Sequence, residues 1–202
     1  MFVEVIQGQV TDPAALRAAF EEWQRDLAPG ATGWLGATSG VTDDGRFIGI
    51  VRFASTADAR RNADRPEQTA WWNRHKHLLG DNPTMVDSED VDLDLIGDPD
   101  RAGFVQFMVG RMTDLARARE LMKSDPEEFA ALRPDVLGTV TVNHGDGAFT
   151  TVIYFTSEAE AREGERKEPP PEVQAQMAEM GALMVGEPEW FDLRDPWLET
   201  PA

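Results

Sequence analysis

The feature that most constrains this chain is that it repeats itself. Phe2-Val3-Glu4-Val5-Ile6-Gln7-Gly8-Gln9-Val10-Thr11-Asp12 returns as Phe104-Val105-Gln106-Phe107-Met108-Val109-Gly110-Arg111-Met112-Thr113-Asp114. The offset of 102 residues (Phe104 against Phe2) also carries Leu35-Gly36 onto Leu137-Gly138 and Gly45 onto Gly147. It carries Phe53 onto Phe155, Ser55 onto Ser157, and Ala59-Arg60 onto Ala161-Arg162. A register held without a gap over that span marks a tandem duplication, so one fold must satisfy both halves. The repeats are read as 1–97 and 104–202, with the Gly, Asp and Pro-rich stretch 98–103 as linker.

Each repeat carries the same order of local signals. Phe2, Glu4 and Ile6 alternate with Val3, Val5 and Gln7 in a strand over about 2–10. Thr11 or Asp12 then caps a helix with Pro13 in its first turn, and Leu16, Phe20, Trp23 and Leu27 form its apolar stripe. Strands over about 32–41 and 46–54 flank Thr42-Asp43-Asp44-Gly45, where the Asp-Gly pair signals a hairpin. A helical region over about 56–79 and a strand over about 84–95 complete a β-α-β-β-α-β unit. Such a unit covers one sheet face with its helices and leaves the other open. Two fused copies therefore predict an α+β protein of two ferredoxin-like repeats packed sheet to sheet, an intramolecular pseudo-dimer. In the second copy Ser124-Asp125-Pro126 interrupts the first helix, which predicts a kink or restart near Asp125.

Composition narrows the function classes. The formal charge of −18, from 37 acidic and 19 basic residues, disfavours nucleic acid and anionic membrane as partners. The absence of cysteine excludes disulfides, thiolate zinc sites and a Cys nucleophile. No apolar run approaches the ~18 residues of a membrane span. Met1 leads straight into the first strand without a basic start or apolar core, so a cytoplasmic location is expected. Asp87, Asp90, Asp92 and Asp94 resemble a calcium loop but lack its sixth-position glycine, while Val91, Leu93 and Leu95 alternate as a strand. Asn143-His144-Gly145-Asp146-Gly147 falls at the second hairpin and reads as a turn.

The β-α-β-β-α-β order, together with Val51-Arg52-Phe53-Ala54-Ser55-Thr56-Ala57-Asp58-Ala59 as a third strand running into a Ser-led helix, resembles the dimeric α/β-barrel superfamily. The likeness is to proteins of the antibiotic-biosynthesis-monooxygenase type and spans nearly the whole chain. That resemblance implies oxygenation of an aromatic substrate such as a phenol or quinol, without a cofactor. Haem-degrading members use an Asn on the first strand and well-separated Trp and His residues on the second helix. Here the first-strand residue is Gln7, and Trp71 and Trp72 lie too close to His75, so haem is not implied.

The cavity of such a unit is expected between its sheet and its helices. On the second helix of the first copy, expected to be capped by Asp64 with Pro66 in its first turn, Gln68, Trp71, Trp72, His75, Leu78 and Leu79 share one face. His75 is then either a general base beside a ligand stacked on Trp71 or Trp72, or a core histidine bonded to a backbone carbonyl. His75 and His77 lie roughly 200° apart around the helix, which makes them poor candidates to share a metal, and the sequence offers no other ligand cluster or phosphate loop. At the 102-residue offset His75 becomes Met177, Trp23 becomes Asp125, and Trp71 and Trp72 become Val173 and Gln174, which points to a single working pocket in the first copy or to drift after duplication. Gln68, Trp23, Arg52 and Gln7 complete the candidate substrate wall, and Met177 is expected to fill the corresponding space in the second copy.

Two function classes follow. One is a small-molecule binder or cofactor-independent monooxygenase-like enzyme acting on a flat apolar or aromatic substrate in the first repeat. The other is a non-catalytic metabolite-binding, interaction or scaffold protein. No cofactor and no metal are expected, and because fusion supplies the partner in cis, the chain is expected as a monomer or a further homodimer.

Overall fold

A computed structural model describes residues 1–123 and 126–201, with side chains of 126–128 excepted. The chain divides into two compact units, one comprising Met1–Val91 with Asp195–Ala202 and the other Asp92–Arg194.

The first unit opens with β1 (Phe2–Gln9) and α1 (Pro13–Asp26). The Asp12 carboxylate caps α1 by accepting from the Ala15 N–H at 2.9 Å, and Pro13 occupies the first turn, where its missing donor is not needed. Next come β2 (Trp34–Val41) and β3 (Arg46–Phe53), joined by the expected tight turn with Gly45 at positive φ. The helical region is broken into α2 (Thr56–Ala63), α3 (Pro66–His75) and a 3-10 turn at Lys76–Leu79. Asp64 closes α2 and does not cap α3; the residue before α3 is Arg65, whose side chain makes no capping bond. The residue preceding a proline is held extended, so Pro66 forces that restart and sets the cap position by backbone sterics.

The strand expected over 84–95 is two strands in different sheets, β4 (Thr84–Ser88) and β5 (Val91–Leu95). The second repeat supplies β6 (Phe104–Arg111), α4 (Leu115–Leu121), α5 (Pro126–Leu132), β7 (Val136–Gly145) and β8 (Ala148–Phe155). It continues through α6 (Glu158–Glu165), α7 (Pro171–Leu183), β9 (Glu189–Leu193) and β10 (Trp197–Glu199). Its first helical region is thus in two pieces; Ser124 and Asp125, where the restart was expected, lie outside the described residues.

Among the described residues each unit holds one five-stranded sheet, ordered β10-β2-β3-β1-β4 in the first and β5-β7-β8-β6-β9 in the second. The fold is α+β, with the ferredoxin-like order present twice. Each sheet is finished at one edge by a strand from the end of the other repeat. In the first unit β10 pairs antiparallel with β2, setting Trp197 against Ser39, Leu198 against Thr38 and Glu199 against Ala37.

The first unit's core lies between its sheet and its helices. Ile6, Val10, Leu16, Phe47, Leu79 and Trp197 form one cluster; Phe2, Trp23, Trp34, Phe53 and Trp71 belong to a second. Trp197 joins them because its ring packs 5.9 Å from Phe20 and 6.2 Å from Phe47. Truncating a buried tryptophan typically costs about 3–5 kcal/mol. Trp197→Ala is therefore expected to lower stability in urea unfolding by an amount in that range. Trp190→Ala, at an exposed position, should change it by less than about 0.5 kcal/mol. Equal effects of the two substitutions would contradict this account of the core.

Candidate functional site

A cavity of about 280 Å³ lies between the first unit's sheet and its helices, just below the ~300–1,000 Å³ typical of small-molecule pockets. All five strands of the sheet reach it. Glu4 and Ile6 alternate on β1, and Val51 and Phe53 on β3, so period-2 spacing puts each pair on one face. Trp34 and Ala37 are three apart on β2, yet both line the cavity. The register shifts between Trp34 and Gly36, and this bulge, with Gly36 at φ +116°, resets the face. Glu199 on β10 lines it because it stands two residues from Trp197, on the same helix-facing side.

The opposite wall is helical. Phe20 and Trp23 come from α1, Asn62 and Ala63 from α2, and Gln68, Thr69, Trp71 and Trp72 from α3. Ala63 and Thr69 are exposed, as is Met85 on β4, and they mark the mouth. The aromatic walls are fixed by their own contacts. The Trp71 indole N–H donates to the Ala19 carbonyl at 3.1 Å, and Trp71 meets Phe20 edge-on at 5.8 Å. Trp23 and Trp34 pack edge to face at 5.1 Å. Such rings are apolar surfaces of low conformational entropy, suited to stacking a flat ligand.

The polar groups are few and mostly half-used. Gln68 accepts the Trp23 indole N–H at 2.6 Å through Oε1, and Asn62 accepts from Arg65 at 2.9 Å through Oδ1. Both amide NH₂ groups are left without a protein partner among the described residues. The Trp34 indole N–H is buried and equally unpartnered. Against these donors stand two carboxylates. Burial, with the Asp87 charge opposite in the sheet, raises the Glu4 pKa. Glu199, only 7% exposed, is pushed from an ordinary 4.5 up to about 7 by desolvation, with the nearby Glu21 charge adding to it.

The sequence candidates sort clearly. Trp23, Gln68, Trp71 and Trp72 meet at the cavity; Gln7, Arg52 and His75 do not line it. His75 shares the helical face of Gln68 and Trp71 but sits a turn further along, at the end of α3. Its Nδ1 lies 3.1 Å from the Trp71 carbonyl oxygen, which can only accept, so Nδ1 donates there. Its Nε2 is 3.9 Å from Glu22. The expectation that His75 reaches the cavity is corrected accordingly: angular position chose the right face, but axial position took the ring past the cavity. Arg52 points to Gly36, where an added Cβ would meet its Nη2 at 2.9 Å, and its Nε is buried without a partner.

Met177 is 60% exposed and fills no cavity space. Ser88 faces Val3 as Leu193 faces Val105, so the final strands correspond at an offset of 105 and not 102. Three residues have entered the second copy after α6, and the gap-free register fails before α7. Glu4, Trp34, Asn62 and Glu199 are among the lining residues that were not sequence candidates. Glu4 and Trp34 sat on strands whose inward face was legible. Glu199 reaches the cavity only through the β10–β2 pairing, which no local pattern discloses.

No protein-family model matches the sequence, and neither does any curated protein. Solved structures do match. A candidate monooxygenase from Lactobacillus acidophilus NCFM superposes with TM-score 0.73 at 12% identity, covering 98% of this chain and 95% of that one. A candidate monooxygenase from Fusobacterium nucleatum gives 0.74 at 8% identity, covering 100% and 94%. An anthrone oxidase-like protein gives 0.65 at 15% identity, covering 100% and 91%. This chain shares the fold of those proteins. Identities this low establish the fold alone, and it is the fold that the sequence resemblance implied.

The first unit holds a carboxylate whose burial opposes its charge, and a pH dependence of stability follows. The unfolded Glu199 ionises near 4.5 and the folded one near 7, so the folded state binds the extra proton between those values. Stability therefore falls as pH rises from 4.5 to 7, relative to a variant that cannot ionise. Glu199→Gln is expected to match the wild-type melting temperature near pH 4 and exceed it at pH 8, by up to about 3 kcal/mol of stability. A gap of equal size at both pH values would contradict the burial argument.

Proposed function

We propose that the first unit's cavity binds a small, flat, largely aromatic molecule and that the chain acts on it as a cofactor-independent monooxygenase. The observation that carries this reading is the wall of Trp23, Trp34, Trp71, Trp72, Phe20 and Phe53 around a space broken only by a few polar groups. In this reading the rings hold the substrate plane, and Asn62, Gln68 and Trp34 offer N–H donors to its oxygen atoms. His75 has no part in it.

The fold supports oxygenation in particular, since the structural relatives carry that description, one of them as anthrone oxidase-like. Cofactor-free oxygenation asks little covalent chemistry of a protein. An electron-rich phenol, once deprotonated, supplies all four electrons itself: one atom of O₂ becomes the new carbonyl of a quinone, and the other leaves as water. An activated ring CH₂ becomes a carbonyl with the same balance. The protein's contribution is to orient the substrate, take its proton and stabilise negative charge on oxygen.

Anthrone supplied aerobically is the direct test. The protein is expected to accelerate oxygen uptake, with one mole of O₂ consumed per mole of anthraquinone and one labelled oxygen atom in the product from ¹⁸O₂. Ala63→Trp, placed at the exposed mouth, should lower that rate about tenfold or more while shifting stability by less than about 0.5 kcal/mol. Oxygen uptake equal to buffer alone would contradict the catalytic reading.

A further inference from the structure

We infer that Glu199 is the proton acceptor of the first-unit cavity, and that its ligand is a fused-ring phenol or enol bearing a ring carbonyl. This deepens the reading of the cavity as an aromatic site and rests on it.

The first ground is the contrast of Glu199 with Asp135, which is buried, and with Asp192, which is half-buried. Asp135 is matched by Arg133, whose Nη2 lies 2.7 Å away. Asp192 takes bonds from Arg162 and from the Gln106 amide, the latter at 2.9 Å. Those acids are structural, because each has its counter-charge in place. Glu199 is buried at 7% exposure and lines the cavity, yet no hydrogen bond or ion pair to its carboxylate is found among the described residues. A buried carboxylate left that way lowers stability, and such groups concentrate where a ligand or a reaction uses them.

The second ground is the internal repeat, which supplies a built-in control. Beside Gly36 stands the Glu199 carbonyl, and beside the equivalent Gly138 stands the Asp94 carbonyl. The two acids therefore hold the same place on their strands at the 105-residue offset of the final strands. Asp94 is exposed to solvent, whereas Glu199 is buried and lines the aromatic cavity. Only one copy has turned this carboxylate inward.

The third ground is the chemistry around it. The charged and titratable groups around Glu199 include Glu21 on α1, Glu4, which shares the cavity from β1, and Arg52 on β3, whose guanidinium stands with the Glu199 backbone carbonyl beside Gly36. An ammonium ligand would suit the carboxylates and the rings, but it would leave the N–H groups of Asn62, Gln68 and Trp34 facing no acceptor. A hydroxyl that donates to Glu199 and a carbonyl oxygen that accepts from those donors satisfy both sets. The step itself is a proton transfer. The ligand O–H bond breaks, the electron pair stays on oxygen as phenolate or enolate, and the Glu199 carboxylate becomes a neutral acid. Its raised pKa brings it closer to that of such a hydroxyl, which favours the transfer near neutral pH.

The test compares three probes of similar size: a hydroxytetralone, the parent tetralone without the hydroxyl, and naphthylmethylammonium. Affinities are measured on wild type, Glu199→Gln and Glu199→Asp between pH 5 and 9. The wild type should prefer the hydroxytetralone over the tetralone about tenfold or more at pH 8, with the preference shrinking toward pH 5 as Glu199 takes up its own proton. Glu199→Gln should bind the parent tetralone as wild type does, showing an intact cavity, and lose both the preference and its pH dependence. Glu199→Asp should keep part of each. An unchanged preference in Glu199→Gln overturns the role of Glu199 while leaving the aromatic site standing. Failure of both tetralones to bind wild type overturns the aromatic site itself. Tightest binding of the ammonium probe, lost in Glu199→Gln, overturns the phenol or enol assignment.

Discussion

The pairing of β10 with β2 is the interaction on which the first unit depends. Three residues at the far end of the chain, Trp197 to Glu199, hydrogen-bond along Ala37 to Ser39 and close the edge of the sheet. Strand periodicity then does two things at once. It lays Trp197 over Phe20 and Phe47, and it places Glu199 at the cavity. Arg17 holds the entry to this strand through an ion pair with Asp195 at 2.5 Å and sits over the Trp197 ring. Without β10, β2 would be an open edge and the cavity would lack its most perturbed acid.

The two units show what the same strand plan does with different polar residues. At the place of Glu4 the second unit has Gln106, which donates to Asp192, and Asp192 in turn holds Arg162 above the Phe104 ring. Charge is balanced there and the polar atoms have partners. The first unit sets Glu4 opposite Asp87, with like charges across the ladder, and gathers two half-used amides, a tryptophan with an unpartnered indole N–H and a buried carboxylate around one cavity. Local conflicts of this kind lower stability, and they concentrate where a protein does something.

Much of this was legible in the sequence because the responsible forces are local. The duplication, the Asp12 cap, the Asp-Gly hairpin and the apolar stripe through Phe20 and Trp23 follow from spacing and backbone sterics. So does the aromatic face of α3, and four of the seven candidate site residues lie on the cavity for that reason. Three things were not legible. Helical angle fixed the face of His75 but not how far along the helix the cavity extends. The repeat offset changes from 102 to 105 after α6, which misplaced Met177. Glu199 is separated from its strand partner Ala37 by most of the chain, and only tertiary pairing brings them together.

The central claim is that the first unit's aromatic cavity is a ligand site. The six tryptophans offer a direct reading of it through their indole ¹⁵N–¹H resonances. Four of them, Trp23, Trp34, Trp71 and Trp72, line the cavity, while Trp190 is exposed on β9 in the second unit. On titration with hydroxytetralone the account predicts shifts at those four signals. Trp34 should move most, because its unpartnered N–H gains an acceptor, and Trp190 should stay still. Shifts confined to Trp190, or saturating binding that leaves Trp34 unmoved, would contradict it.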